Sequence, residues 1–264
     1  MTSYYSALFF TAFLPITVML YGMAPRRFRW AVLLLASYGF FFALSGALIA
    51  FVALSTAVVY ACARMMGANL AEKNRQLATA SSGKREIREA CKRKNRRIVF
   101  AAVVANIGIL AVLKYSGFFG LSLASALAAF GISIDLSIPS FALPIGISFY
   151  TLMAVSYVVD VYRERTKADK NLGHVALFLA FFPGIMEGPL SRYNDVASSL
   201  IAGEPLNRKN LYAGTLRIMW GMAKKIIVAD RLNAFVKPVF DNYGSYDGGV
   251  IALAAILYTI QLYC

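Results

Sequence analysis

Residues 30–63 read WAVLLLASYGFFFALSGALIAFVALSTAVVYACA, a run of 34 residues without one charged side chain. A membrane-crossing helix needs about 20 apolar residues at about 1.5 Å each, so the run is too long for one span. Ser45-Gly46 lies near its middle, and a glycine there weakens a helix. The stretch therefore predicts two short helices hinged at 45–46. Working outward, both flanks are basic: PRRFR at 25–29 and the long segment 64–97. A hairpin between them puts both flanks on one side, the cytoplasmic side by the positive-inside bias. An uncharged first helix over 3–23 then starts from the outside.

Two more uncharged runs, 1–25 and 136–159, repeat the pattern. The chain of 264 residues is 59% hydrophobic and 15% charged, against about 25% charged in a soluble domain. Together these predict an all-α, polytopic transmembrane protein built as a single membrane domain over 1–264. The net charge of +14 raises the question of nucleic acid, but segment 64–97 alone holds eleven Lys/Arg against three Glu and no aromatic residue. Single-strand binders need aromatic platforms, so nucleic acid is excluded and attraction to anionic lipid takes its place. Cys62, Cys91 and Cys264 are an odd set, one inside the basic segment. They form neither a disulfide framework nor a metal-ligand spacing. No Lys or Arg precedes Arg26, so the start lacks the basic end of a cleavable signal peptide.

Segment 64–97 reads as a basic cytoplasmic loop. Within it KREIREACKRKNRR (84–97) predicts a solvated helix with Glu89 and Arg93 four apart. Residues 98–113 then cross outward, with Lys114 and Tyr115 anchoring the far end, and 115–134 returns. Strict alternation fails next. If 136–159 also crosses, the basic YRERTKADK (162–170) ends outside. One segment here does not cross, and Pro139, Pro144 and Gly146 mark it as broken, re-entrant structure.

A short apolar segment, 171–186, runs into FFPGIMEGPLSRYND (181–195). Pro183, Gly184 and Gly188-Pro189 cannot sit in one continuous helix. Glu187 at membrane depth costs on the order of 3 kcal/mol or more unless it is paired or wet. A re-entrant turn lining a passage accounts for both, with Arg192 as the partner of Glu187. An interfacial loop that merely ends a helix is the competing reading. Residues 206–237 predict surface helices with Arg217, Lys224 and Arg231 on one face. A further span begins at Gly248.

Four stretches resemble one family in order and spacing: LPIGISFYTLMAVSYVVDVYRER (143–165), FFPGIMEGPLSRYND, MWGMAKKIIVADRL (219–232) and LYTIQLYC (257–264). They are similar to the membrane-bound O-acyltransferases, nearest the alginate O-acetyltransferase branch, with the D-alanyl transferases of teichoic acid as relatives. The resemblance implies a ring of tilted helices in the bacterial plasma membrane. A cytoplasmic thioester donor, acyl-CoA or an acyl carrier, would meet an extracytoplasmic polysaccharide hydroxyl there, and a further extracytoplasmic acyltransferase would be a partner. It also implies a catalytic histidine in a second half beyond Cys264. The expectation is thus an N-terminal portion, inactive by itself.

For this chain the passage candidates are Glu187, Arg192, Tyr193, Asn194 and Gln261, and Lys224 and Lys225 are candidates for meeting donor charge. His174, the sole histidine, lies where the family places no chemistry and reads as an interfacial or helix-start residue. Asp160 reads as a local pairing partner. D-alanyl transfer, a catalytically dead remnant and a transporter or flippase are the alternatives; broken helices and a buried carboxylate fit the last equally on physical grounds, though no inverted repeat is visible.

Overall fold

The computed structural model describes residues 8–80, 82–129, 146–184, 188 and 190–264. Every regular element among them is helical, which agrees with the all-α expectation. The chain divides into two compact units, Met1–Glu204 and Pro205–Cys264.

In the first unit, a π-turn at Phe9–Phe13 leads into α1, Leu14–Met23, and a 3-10 turn into α2, Arg29–Ser45. Helix α2 stops where Gly46 takes φ 54, a left-handed conformation that glycine adopts without a Cβ clash. A single 3-10 turn then starts α3, Ile49–Thr79. The hinge expected at 45–46 is therefore present.

Helix α4, Lys84–Ala129, returns along α3. Asn69 Nδ2 donates to Asn95 Oδ1 at 2.7 Å near the turn, and Ser55 Oγ donates to Asn106 Oδ1 farther along, so the two run antiparallel. Two expectations need correction here. Segment 64–97 is not a loop throughout: 84–97 is helical as expected and opens α4, but 64–79 completes α3, with only 80–83 between the two helices. Lys, Arg, Glu and Ala are strong helix formers, and Glu89 pairs with Arg85 at 2.9 Å rather than with Arg93. Nor does the chain turn back at Lys114-Tyr115. Helix α4 passes through both to Ala129, because no proline interrupts it and a glycine such as Gly117 costs a helix only about 1 kcal/mol.

Gly146, with φ 74, starts α5, Ile147–Tyr162, consistent with a break at that glycine; Pro139 and Pro144 lie outside the described residues. Helix α6, Leu172–Ala180, is the most enclosed element, with Val175 to Ala180 all buried. Its Phe178, with Tyr150, Tyr157 and Met66, is among the largest fully buried side chains. Helix α6 ends at Ala180, ahead of Pro183, and the next helix among the described residues is α7, Tyr193–Ile201. Phe182 stays fixed: its N–H donates to Ser37 Oγ of α2 at 3.2 Å, and its ring packs among Phe9, Phe13 and Phe40.

In the second unit α8, Arg208–Lys224, continues through a π-turn at Lys225–Ala229 into α9, Asp230–Asp241; α10, Gly248–Tyr263, returns along α9. Phe240 meets Tyr258 edge-on at 5.9 Å and Gln261 Nε2 donates to Asn233 Oδ1 at 3.2 Å. The π-turn takes more residues per turn than an α-helix. Arg231 is thereby rotated off the stripe that Arg217 and Lys224 would share, a departure from the single face expected of residues seven apart.

Among the described residues, two helical stretches, Arg26–Thr79 and Lys84–Tyr115, are long and apolar enough to cross a membrane by length and composition. Phe9–Met23, Ile147–Tyr162 and Gly248–Tyr263 are apolar but shorter.

Candidate functional site

The connection between α5 and α6 gathers a polar cluster around one carboxylate. Residues 169–173 read DKNLG, and their side chains fold back two residues ahead. Asp169 Oδ1 accepts from the Asn171 N–H at 2.7 Å, and Asn171 Oδ1 accepts from the Gly173 N–H at 2.8 Å as the N-cap of α6. This is the local bonding that Asp and Asn prefer at helix starts. It leaves Asp169 Oδ2 facing inward. Tyr193, the first residue of α7, donates its hydroxyl to that oxygen at 2.5 Å, and His174 Nδ1 lies 3.2 Å from it. The Asp169 N–H donates to Tyr157 Oη of α5 at 3.1 Å.

Aromatic rings wall the cluster. Trp30 of α2 meets the His174 ring edge-on at 5.0 Å, while Tyr157 and Phe178 lie 4.8 and 5.1 Å from the Tyr193 ring. Gly173 lets Trp30 approach: a Cβ there would stand 2.6 Å from the indole. The loop entering the cluster is also pinned. Glu164 has φ 59, unusual for a residue with a Cβ, and its carboxylate accepts from Lys73 Nζ at 2.6 Å. Tyr60 donates to the Lys170 carbonyl at 2.8 Å.

Burial by itself raises the Asp169 carboxyl. The hydrogen bonds from Tyr193 and the Asn171 N–H, with His174 beside it, outweigh burial and hold it below its ordinary value. Tyr193 moves the opposite way, raised by burial and then by the Asp169 carboxylate it serves. So Asp169 is the anion and Tyr193 the lasting donor. His174 and Tyr193 converge on one carboxylate oxygen, and no relay runs from imidazole to phenol. The arrangement is a hub that ties α5, α6 and α7 at the root of the 181–192 connection. A chain of base and nucleophile would need the second ring nitrogen aimed at a hydroxyl.

The sequence-derived candidates fall in different places. Glu187 lies outside the described residues. Arg192 is the exposed residue capping α7, and Asn194 donates Nδ2 to the Arg165 carbonyl at 2.9 Å. Of these only Tyr193 enters the hub. Gln261 is in the second unit, paired with Asn233, and its Oε1 is buried without a partner. Lys225 is held by Asp230 at 2.9 Å, while Lys224 is half-buried at the end of α8. Asp160 lies 3.9 Å from Arg165, a local pairing. Among the described residues no cluster could hold a metal ion. Asp169 and Trp30 were not singled out from sequence; the D-x-N-x-G spacing, two linked side-chain turns at a helix start, was the available signal.

Three curated relatives place the chain. It is 31% identical over 259 residues to the protein named "Probable alginate O-acetylase" of Pseudomonas aeruginosa, covering 98% of this chain and 45% of that one. The protein of the same name from Azotobacter vinelandii matches at 31% over 262 residues, 98% of this chain and 47% of its own. A peptidoglycan O-acetyltransferase of Helicobacter pylori matches at 25% over 187 residues, 61% of this chain and 34% of its own. No family model matches, and no solved structure does. The chain spans about half the length of the alginate O-acetylases it matches. Along nearly its whole length, the chain is similar to about half of the proteins named alginate O-acetylase.

Proposed function

We propose that the chain is a multi-pass, membrane-embedded part of a bacterial O-acetyltransferase that moves acetyl groups onto hydroxyls of an exported polysaccharide. The observation that carries this is its 31% identity, along 98% of its length, to alginate O-acetylases. The apolar exterior supports the membrane setting. Leu35, Phe100, Phe118 and Phe119 are each more than 60% exposed, which suits lipid and is costly in water. The likeness to a peptidoglycan O-acetyltransferase widens the acceptor to sugar polymers as a class.

In this reading the donor is a cytoplasmic thioester, acyl-CoA or an acyl carrier. Its carbonyl is attacked by the acceptor hydroxyl while a base removes the hydroxyl proton. That base belongs to the length of the relatives that this chain does not span. The Asp169 hub fixes Tyr193, where the 181–192 connection enters α7, and Arg192, the last residue of that connection, lines the passage between donor and acceptor.

The test uses membranes from cells producing the 264-residue chain, given labelled acetyl-CoA and de-acetylated alginate. No transfer above background is expected. A hybrid in which residues 1–264 replace the matched segment of the Pseudomonas aeruginosa protein is expected to restore acetylation. Transfer by the chain alone would remove the division of labour. A hybrid that inserts in the membrane yet leaves the polymer unmodified would remove the acetyltransferase reading.

A further inference from the structure

Where α4 passes from its charged to its apolar part, five basic residues stand within two turns: Lys92, Arg93, Lys94, Arg96 and Arg97, all exposed. A helical step of about 100° per residue distributes them around the shaft. The gap in the ring is Asn95, buried against α3 and accepting from Asn69. Among the described residues none of the five is in an ion pair; the nearby carboxylates of Glu89 and Glu164 are taken by Arg85 and Lys73. The apolar shaft starts at the next residue, Ile98, and its outward side chains Phe100, Val104 and Ile107 are at least half exposed.

The dimensions fit a bilayer surface. Residues 92–97 rise about 7.5 Å along the helix, and each headgroup layer outside the hydrocarbon is about 5–8 Å thick. We propose that this collar binds the anionic phosphates of phospholipid headgroups in the leaflet that α4 enters. It holds the shaft at a fixed depth through charge, while Ile98 and the residues beyond it meet the acyl chains. A soluble acidic partner would be served as well by the outlying Lys84, Arg85 and Arg88, but these lie beyond the reach of a headgroup layer centred on the collar. The proposal rests on the reading of α4 as a membrane-crossing helix.

The full chain is reconstituted in nanodiscs of phosphatidylcholine with phosphatidylglycerol as the minor lipid, and the lipid retained through detergent delipidation is identified by mass spectrometry. Retained phosphatidylglycerol is expected to exceed its share of the nanodisc by about fivefold, the order of one basic residue's attraction to an anionic surface. Molar salt, which shortens the screening length to about 3 Å, is expected to abolish the excess. The variant K92Q/R93Q/K94Q/R96Q/R97Q is expected to lose it, and K84Q/R85Q/R88Q to keep most of it. No excess in the unmodified chain, or an excess indifferent to salt, overturns the proposal. An equal loss in both variants also overturns it, because the attraction would then belong to the whole basic segment 84–97 and not to the collar. Carbonate extraction of the unmodified chain from membranes separates the two readings: an extractable chain removes the membrane reading itself, and the collar falls with it.

Discussion

Two hydrogen-bonded clusters in the first unit answer the same demand with opposite chemistry. Between α2, α3, α4 and α5, Tyr38, Ser55, Thr56, Asn106 and Tyr150 form a network with no formal charge. Tyr150 donates to the Val52 carbonyl at 2.9 Å, its hydroxyl lies 2.5 Å from Thr56 Oγ1, and Asn106 Nδ2 donates to the Ala102 carbonyl at 2.8 Å. At the α5–α6 connection the cluster instead centres on a full negative charge, Asp169, about one-fifth exposed. The difference follows from solvation. A neutral hydroxyl or amide can be satisfied deep in an apolar bundle by one or two carbonyls, whereas an ion there costs several kcal/mol. Charge is kept where water remains within reach, and it is surrounded with donors.

The sharpest break of this contrast is Asp169→Ala. It leaves the Tyr193 hydroxyl, the Asn171 N–H and His174 without their shared acceptor, and hydrogen bonds to a charged group contribute about 1.5–3 kcal/mol each at most. Because water reaches part of the site, a loss of about 3 kcal/mol is expected, read as a lowered midpoint in detergent unfolding. Because the folded-state carboxyl sits below its ordinary value, its contribution is present above the unfolded value and is lost as pH falls through the folded one. The unmodified chain is therefore expected to weaken as pH drops below about 3.9, the ordinary aspartate value. Asp169→Asn, which cannot titrate, is expected to show a shallower decline over that window. Parallel curves for the two proteins would show that the charge is not what holds the hub.

Tyr193→Phe comes next. It keeps the ring between Tyr157 and Phe178 but removes the 2.5 Å hydrogen bond to the carboxylate. A cost of about 1.5–2 kcal/mol is expected, the range for a bond to a charged partner. The fluorescence of Trp30, which packs on His174 across the same carboxylate, is a local reporter. An unchanged emission with an unchanged unfolding midpoint would show that α7 is not anchored through Asp169.

Which of these features could be read from the sequence follows from the range of the forces involved. Breaks set by single residues were legible: Gly46 ends α2, Gly146 starts α5, and α6 stops ahead of Pro183. Each depends on backbone chemistry confined to a few positions. The length of α4 was not legible, because hydropathy suggested a turn at Lys114-Tyr115 where the backbone has no reason to bend. The hub was half legible. Tyr193 stood in a motif that drew attention, but its partner lies 24 residues away in a segment read only for its net basic charge. Asp169 becomes special only when α5, α6 and α7 bring Tyr157, His174 and Tyr193 to it, a long-range arrangement with no local periodicity.

The smallest expected effect tests the neutral cluster. Tyr150→Phe removes the hydroxyl shared with Thr56 and the bond to the Val52 carbonyl. The carbonyl keeps a second donor, because Thr56 Oγ1 reaches it at 2.7 Å, and Tyr38 remains beside Thr56 at 3.4 Å. No buried acceptor is left bare, so only the net value of an interhelical hydrogen bond is lost. In lipid that averages about 0.6 kcal/mol, and a shift of this order in the detergent-unfolding midpoint is expected, well below that of Tyr193→Phe. If Tyr150→Phe instead cost as much as Asp169→Ala, the neutral network would be acting as one cooperative unit. The contrast between a charged hub and independent neutral bonds would then give way to two hubs of equal strength.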